Sequence, residues 1–102
     1  MKKDFIYFIQ IGEESERLFK IGTTNDIERR MKEHERNYKK TVKVLWKSPP
    51  YSKYTTLRVE DKTIAQWKEE GIFHYIRNDR FIIPENITEI KIKVRKEYVV
   101  SI

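Results

Sequence analysis

Five polar side chains occur in segments whose pattern otherwise favours apolar residues. They are a phenol, two cations, an imidazole and a carboxylate: Tyr7, Lys20, Arg30, His34 and Glu60. Groups of these types can transfer protons, hold an anion and bind a hard metal ion. All five are expected to lie on the same side of a small predicted domain, so we treat them as one candidate site.

Taken singly, each of the five also has a structural explanation. A strand aromatic accounts for Tyr7, and a surface lysine with a buried aliphatic stem accounts for Lys20. A satisfied core histidine accounts for His34. Arg30 and Glu60 are explained as an ion pair between two helices. The functional interpretation therefore depends on the joint arrangement of the five side chains.

The first predicted helix separates two adjacent arginines. Its apolar stripe lies within about 40° and is formed by Ile27, Met31 and Tyr38. His34 falls in the middle of that stripe, and Arg30 lies about 60° to one side, one turn earlier. Arg29 points almost directly away and is predicted to be solvated. Arg30 is therefore a site candidate and Arg29 is not.

The second predicted helix carries a carboxylate on its inner face. Leu57, Ile64 and Trp67 mark that face, and Glu60 lies between Leu57 and Ile64. An ionised carboxylate turned toward a core is costly unless it is paired, hydrogen-bonded or bound to a metal. The pattern therefore predicts a partner for Glu60.

The first two predicted strands form a hairpin with a short polar loop. If the turn centres between Glu13 and Glu14, the register places Tyr7 opposite Lys20. The expected cross-strand pairs are Tyr7–Lys20, Ile9–Leu18, Phe8–Phe19 and Ile6–Ile21. This register puts the tyrosine and the lysine on one face of the sheet and the two phenylalanines on the other.

The element order predicts one α+β domain over residues 1–102, with a small central antiparallel sheet flanked by helices in the order β-β-α-β-α-β. The predicted strands are 5–11, 17–22, 41–47, a short extended piece at 81–83, and 90–94. The first helix is predicted to begin after an N-cap at Asn25 and to run to about Asn37. The second helix spans Lys53 to Glu70, where Gly71 ends it.

Composition limits the classes of function. Lys and Arg number 22 and Asp and Glu number 16, which gives a net charge of +6 and favours a polyanionic partner such as nucleic acid. No cysteine is present, which excludes disulfides, thiolate catalysis and cysteine-based zinc sites. No apolar run approaches the roughly 20 residues of a membrane span. We therefore expect a cytoplasmic protein with no membrane partner.

Two tripeptides and the segment after them resemble the GIY-YIG nuclease superfamily. The tripeptides are Phe5-Ile6-Tyr7 and Lys20-Ile21-Gly22, and the similar segment continues to His34. The family's arginine falls eight residues after the glycine, at Arg30, and the histidine seen in many members falls at His34. Glu60 matches the family's metal-binding glutamate by its place on the next long helix.

Three departures from the family pattern are visible. Phe5 stands in place of the first glycine of the family name. Lys20 stands in place of the second tyrosine, as is usual in the phage and restriction-enzyme branch. The segment 78–81 reads Asn-Asp-Arg-Phe where that branch often shows Gly-Glu-Trp-Phe.

The resemblance implies a DNA endonuclease that uses one divalent ion, Mg²⁺ or Mn²⁺, held by Glu60. Lys20, Gly22 and Arg30 are then the expected contacts to the DNA phosphate backbone. Tyr7 would deprotonate or orient the attacking water, and the ammonium of Lys20 would lower the pKa of that tyrosine or position the water itself. His34 would relay the proton or orient Tyr7.

Two other functions are compatible with the sequence. A catalytically inactive nucleic-acid-binding module would use the basic charge and aromatics such as Trp46, Tyr51 and Tyr54. A protein-interaction domain would use the strand at 90–94 and the segment 98–100 as an exposed edge. DNA and RNA are not distinguished, and a domain of this size would take any sequence specificity from a homodimer, a partner subunit or substrate shape.

Overall fold

The computed structural model confirms the α+β class. It describes residues 3–77 and 80–102, and at 75 and 77 it describes the backbone alone. The strands are β1 (Lys3–Ile11), β2 (Leu18–Thr24), β3 (Val42–Lys47), β4 (Tyr51–Ser52), β5 (His74–Arg77), β6 (Arg80–Ile82), β7 (Glu89–Val94) and β8 (Lys96–Ser101). The helices are α1 (Ile27–Tyr38) and α2 (Lys53–Glu70). A short 3₁₀ turn, Glu14–Glu16, lies between β1 and β2.

Among the described residues, six strands form one antiparallel sheet and two form a separate hairpin. The large sheet has the order β3-β1-β2-β6-β5, and β4 pairs with the start of β1. The strands β7 and β8 pair only with each other. Because β1 lies inside the sheet and is covered on both faces, its residues are mostly apolar in succession and do not alternate between apolar and polar.

The two faces of the large sheet pack against different helices. On one face, Phe8 and Phe81 pack edge-on against Trp67 of α2, and the β7–β8 hairpin extends this core. On the other face, the apolar stripe predicted for α1 covers a smaller cluster. That cluster consists of Tyr7, Ile9, Ile11 and Leu18, packed against Ile27, Met31, Tyr38 and Val42. The chemistry-bearing side of β1 is therefore the side that faces α1.

The predicted hairpin register is wrong by two residues. Tyr7 pairs with Gly22 and Ile9 pairs with Lys20. The 3₁₀ turn moves the centre of the loop toward its C-terminal end, and Arg17 closes the loop in a left-handed conformation with φ 54°. Since a shift by an even number of residues keeps every side chain on its face, Tyr7 and Lys20 still share the α1 side of the sheet.

The helix boundaries agree with the prediction except at the start of α1. Asp26, not Asn25, is its N-cap and accepts a hydrogen bond from the backbone N–H of Arg29 at 3.1 Å. Gly71 ends α2 in the left-handed conformation with φ 68°, as predicted. No helix within the described ranges is long and apolar enough to cross a membrane.

The inner face of α2 differs in part from the prediction. Leu57, expected to be buried, is 42% exposed. The buried positions are instead Thr56, Thr63 and Trp67. The prediction assumed that the apolar residues of α2 are the buried ones. Two threonines instead occupy the buried face where the leucine was expected.

Candidate active site

Tyr7 lies at the centre of the candidate site. Its side chain is 1% exposed, under α1. Its hydroxyl oxygen is 2.8 Å from Nε2 of His34, which is itself buried. The predicted position of His34 in the middle of the apolar stripe is therefore explained by a hydrogen bond to the tyrosine.

Gly22 creates the space that Tyr7 occupies. A Cβ atom placed on Gly22 would lie 2.4 Å from Oη of Tyr7 and 2.6 Å from its Cζ. Both distances are far below van der Waals contact, so the phenol crosses the neighbouring strand at the one position that lacks a side chain. The family resemblance implied Gly22 only as a phosphate contact, and the structure adds this steric role.

Replacing Gly22 by alanine should therefore displace the phenol and lower the free energy of unfolding by about 1–3 kcal/mol. The measurement is urea unfolding of the wild type and of Gly22→Ala. In a Tyr7→Leu background, where no ring crosses the strand, the same alanine should cost much less. An equal cost in both backgrounds would show that the ring contact is not the cause.

Arg30 is the cation that reaches Tyr7. Its guanidinium lies close enough to the phenol to oppose the rise in the pKa of Tyr7, and its Nη1 donates a hydrogen bond to Oε2 of Glu33 at 3.4 Å. Its Nε is buried and has no hydrogen-bond partner among the described residues. Arg29 instead binds Oε1 of Glu33 at 2.6 Å and Oδ1 of Asn25 at 3.1 Å on the solvent side. The predicted separation of the two arginines is thus present in the structure.

The pKa of Tyr7 is raised above its ordinary value. Burial is the main cause, and the positive charge and hydrogen bond of Arg30 oppose it. The carboxylate of Glu60 raises the pKa further. The expectation that Lys20 lowers this pKa is not met, because Arg30 is the opposing cation and burial outweighs it. Tyr7 is therefore a neutral phenol at neutral pH.

Lys20 lies beside this group rather than opposite Tyr7. It is 7% exposed and is the cross-strand partner of Ile9 on one side and of Arg80 on the other. Tyr7 is its diagonal neighbour on the same face, within the reach of a long side chain. Lys20 therefore adds a second positive charge to the α1 side of the sheet.

Two residues outside the predicted site extend the packing around the imidazole, one by direct contact and one through the first. The ring of Tyr38 stacks on His34 with a centroid distance of 5.4 Å and an interplanar angle of 13°. The guanidinium of Arg80 lies 4.7 Å from the Tyr38 ring. The spacing of four residues between His34 and Tyr38 was a usable signal, because such pairs are neighbours on a helix. The sequence offered no local signal for Arg80, which approaches from β6.

Glu60 joins the site from α2. It is half-buried and lies on the same helix face as the buried Thr56 and Thr63. Although α2 packs on the other face of the sheet, the Glu60 carboxylate is near enough for its charge to raise the pKa of Tyr7. The effect of its charge on this pKa is what links Glu60 to the candidate site.

The five candidate residues offer few ligands to a metal ion. Among residues 3–77 and 80–102, no cluster of three His, Cys, Asp or Glu side chains could hold an ion. Of the five candidate residues, only Glu60 carries a carboxylate. A single carboxylate fits Mg²⁺, which keeps several waters and takes further oxygens from a substrate phosphate.

One protein-family model matches most of the chain. The family model of the T5orf172 domain matches residues 4–67. This domain is found in phage-type proteins and in proteins associated with GIY-YIG-like or HNH nucleases. Searches of curated proteins and of solved structures gave no match. The matched range contains all five candidate residues and Gly22, whereas β5 to β8 lie outside it.

Proposed function

This chain belongs to the T5orf172 domain family, and we propose that it is a metal-dependent endonuclease that hydrolyses DNA phosphodiester bonds with a GIY-YIG-type site. The family suggests a nuclease-related or DNA-binding function. The observation that carries the finer proposal is the convergence on Tyr7. Its hydroxyl forms a hydrogen bond with Nε2 of His34, and Arg30 and Glu60 both act on its pKa.

Arg30 holds the scissile phosphate in this proposal. Its side chain is 43% exposed, so part of the guanidinium faces outward while another part lies near Tyr7. A cleft of about 340 Å³ adjoins Arg30, and Thr23, Asn25 and Lys53 are among the residues that line it. The planar fork of an arginine matches phosphate oxygens and stabilises the charge that develops on them during hydrolysis.

Tyr7 and His34 move the proton of the attacking water. An arginine can only donate hydrogen bonds, so the phenol oxygen is the acceptor toward Arg30. When Nε2 of neutral His34 is unprotonated, the phenol proton points at that nitrogen. Water then gives a proton to the Tyr7 oxygen as Tyr7 passes its own proton to His34. The relay needs no phenolate, in agreement with the raised pKa of Tyr7.

The remaining bond changes need no further protein group. The hydroxide adds to phosphorus, the bond to the leaving oxygen breaks, and that oxygen takes a proton from solvent. Glu60 would hold one divalent ion, Mg²⁺ or Mn²⁺, which when bound neutralises charge on the leaving oxygen. Lys20 contributes a second positive charge on the same side of the sheet.

The experiment is conversion of supercoiled plasmid to open circles by the purified wild-type protein. We expect nicking with Mg²⁺ or Mn²⁺ and none with EDTA, because a single-carboxylate site releases a weakly held ion to the chelator. Activity that persists in EDTA would remove the metal from the proposal. If the protein binds DNA but does not cleave it with either Mg²⁺ or Mn²⁺, the result would favour the inactive nucleic-acid-binding module instead.

A further inference from the structure

A second cleft lies away from the candidate active site, between α2 and the β7–β8 hairpin. Its volume is about 370 Å³. Its polar lining consists of four cations and three uncharged donors: Arg58, Lys62, Lys93, Arg95, Thr55, Thr63 and Gln66. No carboxylate lines it. The hairpin side of this cleft lies outside the range 4–67 that the family model covers.

The positive charge of this cleft is not neutralised locally. Within the described part of the chain, none of the four cations lies within 4.0 Å of a carboxylate oxygen. Two carboxylates are available nearby in the sequence and the register. Asp61 precedes Lys62 on α2, and Glu97 is the cross-strand partner of Lys93. Neither forms an ion pair, so the cleft presents its cations to an external anion.

The backbone at the hairpin tip fixes the position of one of these cations. Arg95 alone joins β7 to β8, with φ 62°. This left-handed conformation is uncommon for a residue with a side chain. The Arg95 guanidinium lies 5.4 Å from the ring of Tyr51, next to the start of α2. The tip is thereby held beside the helix, with Arg95 among the residues that line the cleft.

We propose that this cleft binds the phosphate backbone of DNA at a point distant from the bond that is cut. Lysine, arginine, threonine hydroxyl and glutamine amide are the groups that most often contact phosphate oxygens. Such contacts position a protein on DNA without reading its sequence. The identification of the anion as DNA rests on the proposed function, whereas the charge of the cleft does not.

The placement of the cleft on α2 gives it a role in orientation. Its two α2 cations, Arg58 and Lys62, each lie about 160° around the helix from Glu60. One rigid helix therefore carries the predicted metal ligand on one side and the backbone contacts on another. Occupation of the cleft would fix the direction in which DNA crosses the active site.

The test measures binding without cleavage. Fluorescence anisotropy of a short labelled DNA duplex is recorded in EDTA, between about 50 and 200 mM salt. The test variant is Arg58→Gln combined with Lys62→Gln. The control is Lys32→Gln combined with Lys43→Gln, which removes the same charge from exposed positions on α1 and β3.

We expect the test variant to reduce the slope of log Kd against log salt by about 1.8, since each phosphate contact contributes about 0.9. The control should leave the slope close to that of the wild type. Equal losses in both variants would overturn the proposal, because net charge alone would then explain binding. Competition by inorganic phosphate at low millimolar concentration would also overturn it in favour of a small-anion site.

The outcome is separable from that of the nuclease proposal. If the test variant and the control show the same salt slope while the wild type nicks plasmid, the proposal for the cleft is refuted and the nuclease proposal is not. A slope difference without any nicking would support the cleft and refute the nuclease.

Discussion

Arg30→Ala should lower the single-turnover rate of plasmid nicking by a factor on the order of 100 to 1,000, the usual loss when one donor to a developing charge is removed. Arg29→Ala should leave the rate close to that of the wild type. The two residues are adjacent and chemically identical, so the comparison isolates position on the helix. Arg30 touches the phenol of Tyr7, whereas Arg29 binds Glu33 and Asn25 on the solvent side.

The two variants also differ in what they do to Tyr7. Without Arg30, the phenol loses the hydrogen bond and positive charge that oppose the effect of burial on its pKa. Urea unfolding of both variants would serve as the control, because a folding defect must be separated from a catalytic one. Equal nicking rates for the two variants at equal stability would contradict the assignment of Arg30.

Glu60→Gln should abolish metal-dependent nicking, with a loss of at least about 1,000-fold. The amide has the shape of the carboxylate but lacks the charge that a hard cation requires. The fold should remain intact, because Glu60 is only half-buried and its buried neighbours Thr56 and Thr63 are unchanged. The measurement is the initial rate of open-circle formation across a series of Mg²⁺ concentrations.

Glu69→Gln is the matched control for this experiment. Glu69 lies on the same helix, is exposed, and undergoes the same chemical change. A Glu60→Gln protein that nicks plasmid as fast as Glu69→Gln would remove the metal assignment. Recovery of Glu60→Gln activity at high Mg²⁺ concentration would instead indicate weakened binding at the assigned site.

Periodicity was sufficient to predict the elements and faces that carry the site. The stripe of α1 placed His34 inward and distinguished Arg30 from Arg29, because helical angles depend only on sequence spacing. The hairpin faces were also correct, although the register was not. Register depends on the conformation of the loop, and the 3₁₀ turn with Arg17 at φ 54° had no clear signal in its polar residues.

Contacts between segments distant in the chain could not be predicted from the sequence. The crossing of Tyr7 over Gly22 depends on a register that only the folded sheet defines. Arg80 reaches Tyr38 from a strand that follows α2, so no local spacing joins the two residues. The raised pKa of Tyr7 follows from its burial, whereas charge pairing alone suggested the opposite direction. The predicted exposed edge at 90–94 and 98–100 is paired into a hairpin, and its use in protein interaction stays a prediction.

Paramagnetic broadening by Mn²⁺ tests most directly whether side chains from β1, α1 and α2 form one metal-binding site. Substoichiometric Mn²⁺ would be added to the ¹⁵N-labelled protein, and the loss of each amide resonance would be measured. The strongest broadening should fall on the amides of Gly22, Arg30 and Glu60 and should disappear in Glu60→Gln. Broadening centred instead on the acidic turn at Glu14–Glu16, and unchanged by Glu60→Gln, would contradict the shared site.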